Sequence, residues 1–305
     1  MKKKCKALLA GALSLMMLTA CGASSSSTAA PASSSGSAGS STAAASDTAW
    51  PEDVQEIVDR GVLRVGVKNA VPGFGYQDPL TGEYSGMEID LANLVADYLG
   101  VETEFTTVTA ATRGELLDSG DIDCVLATFT ITDERKQTWD FTTPYYTDAV
   151  TVLVEDSSGI TSLADLVGKT VGVSSGSTSA RELVRAMVEQ GLVSGDNFDP
   201  DTFDATTWTE GVSFHQYEDY PTISTALSAG EVDAFCVDRS ILAIYKTEGR
   251  SYIQDEFAPQ EYGIATTKGS GLSEVCEDLV TTWLSDGTIA GQHTAIRNKT
   301  DQKHS

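Results

Sequence analysis

The segment ATFTITDERK, residues 127–136, contains residue types that together could bind a carboxylate. Its first half is rich in β-branched and aromatic residues and predicts the end of a strand. Thr128 and Thr130 alternate with Phe129, so an extended backbone places both hydroxyls on the face opposite Phe129. Arg135 follows within one turn, and a guanidinium beside hydroxyl groups is a good carboxylate receptor.

The second half of this segment predicts the start of a helix, with Thr132 as its N-cap and two acidic residues in its first turn. An arginine at this end of a helix is unfavourable for the helix dipole, so Arg135 needs another explanation. It either binds an anion with the threonines or forms an ion pair with Asp133 or Glu134 in solvent. The spacing favours neither alternative.

A second candidate anion site lies in the segment VGVSSGSTSARE, residues 171–182. The pattern predicts a strand, a loop of small residues and a helix start. Unpaired N–H groups at that helix N-terminus, with the hydroxyls of Ser177, Thr178 and Ser179, could hold an anion. The segment lacks the lysine and the spacing of a P-loop, which disfavours a nucleotide. A simple N-cap is the alternative and is the commoner use of such a sequence.

Asp238 ends an otherwise apolar strand-like run, residues 232–237. A carboxylate at a buried strand end needs a partner, and an ammonium group is a plausible one. An ion pair with Arg239, or a cap on a helix predicted at 240–246, are the alternatives. Together with the two anion receptors, Asp238 predicts a zwitterionic ligand, an α-amino acid.

The side chain of such a ligand is expected to face Lys68, Phe74, Tyr76 and Arg113. Arg113 is predicted to lie in a loop before the helix that leads to Thr128. Two cations near one side-chain position favour an acidic side chain, with each charge-assisted hydrogen bond contributing about 1.5–3 kcal/mol. Taken singly, a lysine or an arginine is more often a solvated surface charge.

An internal repeat positions these residues. LDSGDIDCVLAT, residues 117–128, aligns with LSAGEVDAFCVD, residues 227–238, and VGVK, residues 65–68, aligns with VGVS, residues 171–174. Each of the two longer segments predicts a helix end closed by a glycine, Gly120 or Gly230. Alternating apolar strands and amphipathic helices predict an α/β fold of two similarly built lobes. Ligands of open α/β sheets bind beyond the carboxyl ends of the strands, so the strand ends of the two lobes should meet in one cleft.

Strand-like segments at 148–154 and 262–266 predict two crossovers between the lobes, and a connection of this kind is a natural hinge. A helix is predicted over 271–286 and is expected to pack back on the first lobe. Its apolar residues form one stripe: Leu272, Val275, Cys276, Leu279 and Trp283. The segment 193–211 looks like an insertion without an assigned role. The predicted bounds are 50–153 plus 260–305 for lobe one and 154–259 for lobe two.

The N-terminal segment predicts export and attachment to a membrane. Residues 1–20 combine four lysines with an apolar stretch of 14 residues, which is too short for a membrane span and typical of a signal peptide. Cys21 follows small residues, as in the bacterial lipoprotein box, and is the predicted lipidation site. An ordinary signal peptide with a chance cysteine is the alternative. Residues 21–49 are almost wholly Ser, Ala, Gly and Thr and predict a flexible tether.

The composition argues against several other functions. The chain carries 20 basic and 44 acidic residues, a net charge of −24, and removing the four signal-peptide lysines gives −28 (−24 − 4). Such a charge disfavours nucleic acid as a partner. Cys124, Cys236 and Cys276 form no CxxC motif and the three histidines lack ligand spacing, so neither a metal nor a cofactor is expected. Cys124 and Cys236 lie in apolar runs and are predicted to be buried free thiols.

Five stretches within about residues 60–290 carry a resemblance to a known family: VLRVGVKNAVPGFGYQDPLTGEYSGMEIDLANLVADYLG, TRGELLDSGDIDCVLATFTITDERK, DFTTPYYTDAV, LADLVGKTVGVSSGSTS and YPTISTALSAGEVDAFCVD. They resemble the polar amino acid (family 3) solute-binding lipoproteins of ABC importers, which have a two-lobed type II periplasmic-binding fold. The block GMEIDL, residues 86–91, resembles the family signature and is interpreted as a structural helix start. Met87 departs from that signature, because an aromatic or aliphatic residue is usual there.

The resemblance implies roles for the candidate residues. Thr128, Thr130 and Arg135 would hold the α-amino and α-carboxylate groups of the ligand. Thr178 and its neighbours would close on the carboxylate, and Asp238 would bind the ammonium group.

The resemblance also bears on the ligand side chain. Lys68 and Arg113 match positions that carry basic residues in glutamate- and aspartate-binding members, whereas glutamine-binding members typically lack the arginine. Ala70 departs from the pattern, because close relatives often have an acidic residue there. Phe74 and Tyr76 could reshape the pocket.

The expected function is the capture of a polar, acidic amino acid by cleft closure and its delivery to the permease of an ABC transporter. Glutamate and aspartate are expected as ligands, with glutamine as a further candidate, and the protein is expected to be a lipid-anchored monomer outside the cytoplasm. An enzyme on the same fold, such as cyclohexadienyl dehydratase, would need an acid or base at a leaving group beyond the residues already used for binding. A sensor that binds the same ligand without transport is the other alternative.

Overall fold

The computed structural model describes residues 49–292, and these residues belong to one compact unit. The predicted signal peptide, Cys21 and nearly all of the predicted tether lie outside the described residues, as do two of the three histidines. Along residues 49–292, none of the helices has the length and apolar character needed to cross a bilayer.

The described residues form helices and strands in alternation. The helices in this range are α1 Glu52–Arg60, α2 Met87–Leu99, α3 Thr112–Asp118, α4 Arg135–Thr138, α5 Ser179–Glu189, α6 Tyr220–Ala229, α7 Arg239–Leu242 and α8 Gly271–Asp286. The strands are β1 Val62–Val67, β2 Ala70–Val71, β3 Gly75–Gln77, β4 Tyr84–Ser85, β5 Glu102–Thr107, β6 Cys124–Leu126, β7 Trp139–Phe141, β8 Tyr146–Glu155, β9 Lys169–Ser174, β10 Val212–Tyr217, β11 Ala234–Asp238, β12 Arg250–Tyr252, β13 Phe257–Tyr262 and β14 Ala265–Thr267.

Two sheets of the same design contain most of these strands. The first has the order β5-β1-β6-β14-β7, with β1 parallel to both of its neighbours and β14 antiparallel to β6. The second has the order β10-β9-β11-β8-β12, with β9 parallel to both of its neighbours and β8 antiparallel to β11. The predicted α/β fold with two similarly built lobes is therefore confirmed, and β1 and β6 correspond to β9 and β11 as the repeat predicts.

The chain passes between the two sheets twice. β7 belongs to the first sheet and β8 to the second, and β13 pairs with β8 before β14 returns to the first sheet. The passages therefore lie between Phe141 and Tyr146 and between Tyr262 and Ala265. The predicted lobe bounds at 153/154 and 259/260 fall inside β8 and β13 and remain a prediction.

The repeated glycines occupy equivalent, tightly packed positions. A Cβ atom on Gly66 would lie 2.6 Å from Ile122 Cδ1, and one on Gly172 would lie 2.6 Å from Ile223 Cγ2. Each central strand needs glycine where a side chain from a neighbouring segment crosses it closely. Gly230 ends α6 in the left-handed conformation, with φ of +72°, which is the usual way that glycine closes a helix.

The helix α8 spans the residues predicted for it. Its buried positions include Leu272, Val275, Cys276 and Trp283, which follow the predicted stripe. α8 packs against α1, where Asp53 accepts hydrogen bonds from the hydroxyl of Ser270 at 2.5 Å and the N–H of Gly271 at 2.9 Å. α8 therefore packs on elements of the first lobe.

The three cysteines among the described residues are buried free thiols, as predicted for Cys124 and Cys236. Cys124 lies in β6, Cys236 in β11 and Cys276 in α8. Burial raises the pKa of each thiol, which keeps them protonated and unreactive at neutral pH.

Candidate functional site

Lys68 and Arg113 are buried charges that lie near strand ends of the first sheet. Lys68 follows β1 directly and is 4% exposed, and Arg113 is 3% exposed. The Nζ atom of Lys68 lies 5.4 Å from the centroid of the Tyr220 ring. The alternative that these two residues are solvated surface charges is therefore wrong.

Arg113 belongs to α3 and not to the predicted loop. Thr109 and Thr112 cap this helix reciprocally, because each side-chain oxygen accepts the N–H of the other residue at 3.0–3.2 Å. The Nη1 of Arg113 donates to the carbonyl oxygens of Ala127 at 2.8 Å and Thr128 at 3.0 Å. These contacts hold the guanidinium against the end of β6.

The predicted alternation of Thr128, Phe129 and Thr130 is wrong. β6 ends at Leu126, and Thr128 has a φ of +48°, which is the left-handed region and rare for a β-branched residue. The hydroxyl of Thr128 donates to the carbonyl of Ala127 at 2.8 Å. Thr130 is buried and forms an isolated β-bridge with Tyr262, so both threonines lie in the buried region.

Phe129 contacts both of the neighbouring arginines. The guanidinium carbon of Arg113 lies 4.0 Å from the ring centroid and that of Arg135 lies 4.8 Å from it. The aromatic ring therefore supports two cations through its π face, a role that the predicted alternation did not include.

Arg135 makes no ion pair with its acidic neighbours. Its Nη1 donates to the carbonyl of Thr130 at 2.8 Å, and its Nη2 donates to the carbonyl of Gly176 at 3.0 Å. Lys136 pairs with Asp133, and Arg181 pairs with Glu134. Since both acceptors of Arg135 are neutral carbonyls, its charge has no anionic partner among these contacts.

The predicted N-cap Thr132 is present, although the regular helix begins later than expected. Its hydroxyl accepts the N–H of Arg135 at 3.1 Å, and its carbonyl accepts the N–H of Lys136 at 2.9 Å. α4 starts at Arg135, two residues after the predicted start, because residues 133–134 form a turn.

The loop after β9 places three hydroxyl groups at the N-terminus of α5. Ser177 donates to the carbonyl of Ser174 at 2.7 Å, and Thr178 donates to the Oε1 of Gln260 at 2.7 Å. The hydroxyl of Ser179 is buried and has no hydrogen-bond partner within residues 49–292. None of the three side chains caps the helix, so the simple N-cap alternative does not hold here.

Asp238 is buried at the end of β11, with 5% exposure. Its carboxylate accepts a hydrogen bond from the hydroxyl of Tyr262, whereas Arg239 pairs with Glu256. Asp238 precedes the short α7 without a side-chain cap, so both alternatives for this residue are wrong. Burial, followed by the negative charge of Asp148, raises the pKa of Asp238 to about 7.

Glu88 is a site residue that the sequence interpretation missed. It lies in the first turn of α2, which begins at Met87 as the family-like block predicts, but its side chain is fully buried. Its Oε1 accepts the N–H of Thr128 and the hydroxyl of Tyr145, both at 2.6 Å, while Oε2 has no partner among the described residues. An acidic residue between buried Met87 and Ile89 was the available signal.

Phe74 belongs to an aromatic group that the sequence analysis recognised only in part. Its ring lies 4.9 Å from that of Tyr146 and 5.9 Å from that of Tyr262, in edge-on geometry. Tyr262 also donates to Asp238, which joins this group to the charged residues. Tyr262 was missed as a site residue because it lies in β13, outside both copies of the repeat.

The electrostatics of buried Lys68 and half-buried Arg135 are unfavourable without an anion. Burial, followed by the charge of Arg113, lowers the pKa of Lys68 well below its ordinary value. The same two causes lower the pKa of Arg135 well below its ordinary value. Because a guanidinium does not lose its proton in proteins, the shift indicates surroundings that would favour an added negative charge.

Two cavities border the site. The larger, about 390 Å³, is lined by Arg135, Ser177 and Thr178 together with Phe203 and Asp204 from the segment 193–211. The smaller, about 340 Å³, is lined by residues that include Thr130, Thr178, Gln260, Pro200 and Asp201. The insertion of unassigned role therefore supplies part of the wall of both cavities.

The structure separates the predicted residues into two groups. Arg135, Ser177, Thr178 and Thr130 line cavities, whereas a buried cluster beside them contains Lys68, Phe74, Arg113, Thr128 and Asp238. Within residues 49–292, no group of three His, Cys, Asp or Glu side chains is arranged to hold a metal ion. The arrangement offers cations, carboxylates and hydroxyls, which suits the recognition of a small charged molecule.

Known proteins share this sequence and fold. The glutamine-binding protein GlnH of the ABC transporter of Bacillus subtilis (strain 168) is 31% identical over 294 residues, 94% of this chain and 94% of that protein. The L-cystine-binding protein TcyJ of Escherichia coli (strain K12) is 32% identical over 242 residues, 77% of this chain and 82% of that protein. An ancestral arginine-binding protein bound to arginine has a similar structure, with a TM-score of 0.64, 31% identity, and coverage of 77% of this chain and 98% of that one.

All three relatives are named as binding proteins. The family model of the bacterial extracellular solute-binding proteins, family 3, matches residues 63–271, which is more than half of the chain. The protein is therefore a member of family 3 of the bacterial extracellular solute-binding proteins.

Proposed function

We propose that the protein binds a polar amino acid with an acidic side chain, glutamate or aspartate, and delivers it to the permease of an ABC importer. Glutamine remains the nearest competing ligand. The observation that carries the proposal is the group of three cations, buried Lys68 and Arg113 with Arg135 beside them. The hydrogen bonds of Arg113 and Arg135 go to neutral carbonyl oxygens, so these contacts do not neutralise their positive charge.

The α-carboxylate of the ligand is assigned to the Arg135 side of the site. Arg135 donates only to carbonyl oxygens among its described contacts, so a carboxylate would be its first anionic partner. Thr130, Ser177 and Thr178 line the two cavities on this side of the site, and Thr128 and Ser179 lie close to them along the chain. Charge-assisted hydrogen bonds to a guanidinium are the strong contacts in such a receptor.

The α-ammonium group is assigned to Asp238. The carboxylate is buried and its described partner is the hydroxyl of Tyr262, which leaves lone pairs for further donors. An ammonium group beside it would lower its pKa from about 7 and hold it in the charged form.

The side chain of the ligand is assigned to Lys68 and Arg113, with Phe74 as an apolar wall. Three cations, Lys68, Arg113 and Arg135, stand against two buried carboxylates, Glu88 and Asp238. A ligand with two carboxylates and one ammonium brings one further negative charge to these cations. Asp148 adds negative charge on the Asp238 side of the site, where the ammonium group is assigned. Because the named relatives bind glutamine, cystine and arginine, the acidic preference rests on these charges and not on the relatives.

Capture without bond chemistry accounts for the titratable groups of the site. Lys68, Arg113 and Arg135 serve as anion receptors and Asp238 as a cation receptor, while Glu88 is held by the N–H of Thr128 and the hydroxyl of Tyr145. The predicted signal peptide, lipidation at Cys21 and tether would hold the domain at the extracytoplasmic face of the membrane, next to the permease.

The proposal is tested by a thermal-shift screen of the purified protein against the twenty amino acids. Glutamate and aspartate should raise the melting temperature, since a ligand that binds only the folded state stabilises it. Arg113→Ala should abolish this shift, whereas Arg60→Ala, which changes an exposed arginine at the end of α1 paired with Asp123, should leave it intact. A preference for glutamine, an aromatic or a basic amino acid would contradict the acidic ligand and leave the family assignment untouched.

A further inference from the structure

Glu88 is the fully buried carboxylate next to the proposed side-chain position. It lies at the start of α2, where burial raises its pKa. The hydrogen bonds from Tyr145 and Thr128 and the charges of Lys68 and Arg113 oppose this rise and favour the ionised form. A buried carboxylate is costly unless it is paired and hydrogen-bonded. Glu88 satisfies only one of its oxygens with described residues, since Oε1 accepts two hydrogen bonds and Oε2 accepts none.

The bonded oxygen of Glu88 shapes the backbone that holds Arg113. Oε1 accepts the N–H of Thr128 at 2.6 Å, and Thr128 has the unusual φ of +48°. In that conformation the carbonyls of Ala127 and Thr128 both accept from Nη1 of Arg113. Glu88 therefore positions the guanidinium through the backbone.

Arg113 and Glu88 each have one buried polar atom without a hydrogen-bond partner among the described residues, a donor on Arg113 and an acceptor on Glu88. The Nε–H of Arg113 is a buried donor without a partner, and Oε2 of Glu88 is a buried acceptor without a partner, within residues 49–292. The guanidinium donor suits either a carboxylate or a carboxamide oxygen. The carboxylate acceptor suits the NH₂ of a carboxamide and repels a second carboxylate.

We infer that Glu88 is a specificity-determining residue of the site, whose buried negative charge sets how strongly the site prefers a side-chain carboxylate over a carboxamide. The inference rests on the proposed function, because it concerns the same amino-acid site. Lys68 and Arg113 favour an acidic side chain, and Glu88 offsets part of their charge. Removing the charge of Glu88 while keeping its hydrogen bonds therefore shifts the preference toward glutamate.

The test is the ratio of the dissociation constants for glutamine and glutamate, measured by titration calorimetry at about pH 8, where a carboxyl is ordinarily ionised. Glu88→Gln keeps an oxygen for the N–H of Thr128 and the hydroxyl of Tyr145, and removes the charge. The ratio should rise about tenfold in favour of glutamate. The matched control Glu115→Gln removes an exposed carboxylate from α3 and should leave the ratio unchanged.

The outcomes separate the inference from the proposed function. If the unmodified protein prefers glutamine, the acidic ligand is wrong, but a shift toward glutamate in Glu88→Gln still supports the role of Glu88. If both affinities fall by the same factor and the ratio is unchanged, Glu88 is only structural and the inference is overturned. It is overturned as well if neither glutamate and glutamine nor aspartate and asparagine bind.

A second variant covers the case in which Glu88→Gln does not fold. Lys68→Met removes one positive charge from the same cluster, so the ratio should move in the opposite direction, toward glutamine. A Lys68→Met protein whose ratio stays the same, or moves toward glutamate, contradicts the charge balance on which the inference depends.

Discussion

Asp238 is the residue whose charge depends most clearly on the ligand. Burial raises its pKa to about 7, and the neighbouring Asp148 acts in the same direction, while Tyr262, Arg113 and Arg135 oppose the shift. A carboxyl with a raised pKa binds a proton more tightly in the folded state than in the unfolded chain. The ionised form is therefore costly in the protein without ligand and is stabilised by an ammonium group.

The pH dependence of stability tests this reasoning. The folded pKa of about 7 lies above the ordinary aspartate value of 3.8, so the stability that the protonated carboxyl contributes is complete below about pH 4 and is lost as the pH rises through 7. The loss is at most about 4 kcal/mol, for a difference of about three pKa units. From about pH 5 to about pH 8, the melting temperature of the ligand-free protein should therefore fall more than that of Asp238→Asn.

The control for this experiment is Asp97→Asn, which changes an exposed carboxylate on α2. Its melting temperature should follow that of the unmodified protein at every pH. Asp238→Asn should also lose the shift that the ligand produces. If the melting temperatures of Asp238→Asn and of the unmodified protein change with pH in parallel, the titration of Asp238 is not the cause of the pH dependence.

Sequence reasoning located charged residues at strand ends better than it assigned their contacts. Asp238 was found because a charge at the end of an apolar run needs a partner, and Lys68 because it follows a strand of the internal repeat. Glu88 was overlooked because its neighbours follow the apolar pattern of a helix start. Its contact with Thr128 joins positions 40 residues apart, which no local pattern reports.

At the scale of elements, the loop between β9 and α5 approaches the segment before α3 very closely. Gly176 has a φ of +73°, and a Cβ atom there would lie 2.7 Å from the carbonyl oxygen of Ala110 and 2.8 Å from the Cα of Ala111. These are backbone atoms and cannot rotate away. The carbonyl of Gly176 also accepts from Arg135 at 3.0 Å, so this glycine lies where elements of the two lobes meet.

Gly176→Ala should therefore oppose closure of the cleft. A methyl group at this position forces the loop away from residues 110–111, which makes the closed form less favourable and reduces the apparent affinity by about tenfold or more. The measurement is the dissociation constant by calorimetry, with small-angle scattering to follow the radius of gyration when ligand is added.

Gly191→Ala is the matched control for this prediction. Gly191 has a φ of +69° but no neighbouring atom within 4 Å of an added Cβ, so it carries the same backbone strain without the clash. Equal losses of affinity in the two variants would mean that strain alone is responsible, and the steric argument would be wrong.

Helices and turns were predicted well where residues close in the chain determine them, and poorly where contacts between distant residues determine them. Gly230 and the apolar stripe of α8 follow from residue type alone. The left-handed turn at Thr128 follows from the buried carboxylate of Glu88, and the start of α3 depends on the reciprocal hydrogen bonds of Thr109 and Thr112. Periodicity contains neither piece of information.

At the scale of the whole molecule, the apolar core is continuous between the two sheets. One cluster of buried residues includes Val65 and Val67 from β1 together with Phe235 and Val237 from β11. The ring of Tyr262 belongs to the same cluster and reaches Asp238 through its hydroxyl. The lobes are therefore packed together in this structure, and Lys68, Arg113 and Asp238 are buried there.

The predicted N-terminal modification tests the location of the protein. If Cys21 is the lipidation site, a clickable palmitate analogue should label the protein, and mass spectrometry should find an acylated N-terminal cysteine. Cys21→Ser should remove this label, since no thiol remains at the cleavage site. The predicted tether of residues 22–49 would then have a mean reach of about 30 Å from the membrane surface.

Cys5→Ser is the matched control, because Cys5 lies within the predicted signal peptide and should be removed on processing. That variant should be labelled like the unmodified protein. Label that persists in Cys21→Ser, or that disappears in Cys5→Ser, would place the modification elsewhere and return the segment to the alternative of an ordinary signal peptide. A single acyl chain binds a bilayer only marginally, so stable membrane attachment requires more than one chain on Cys21.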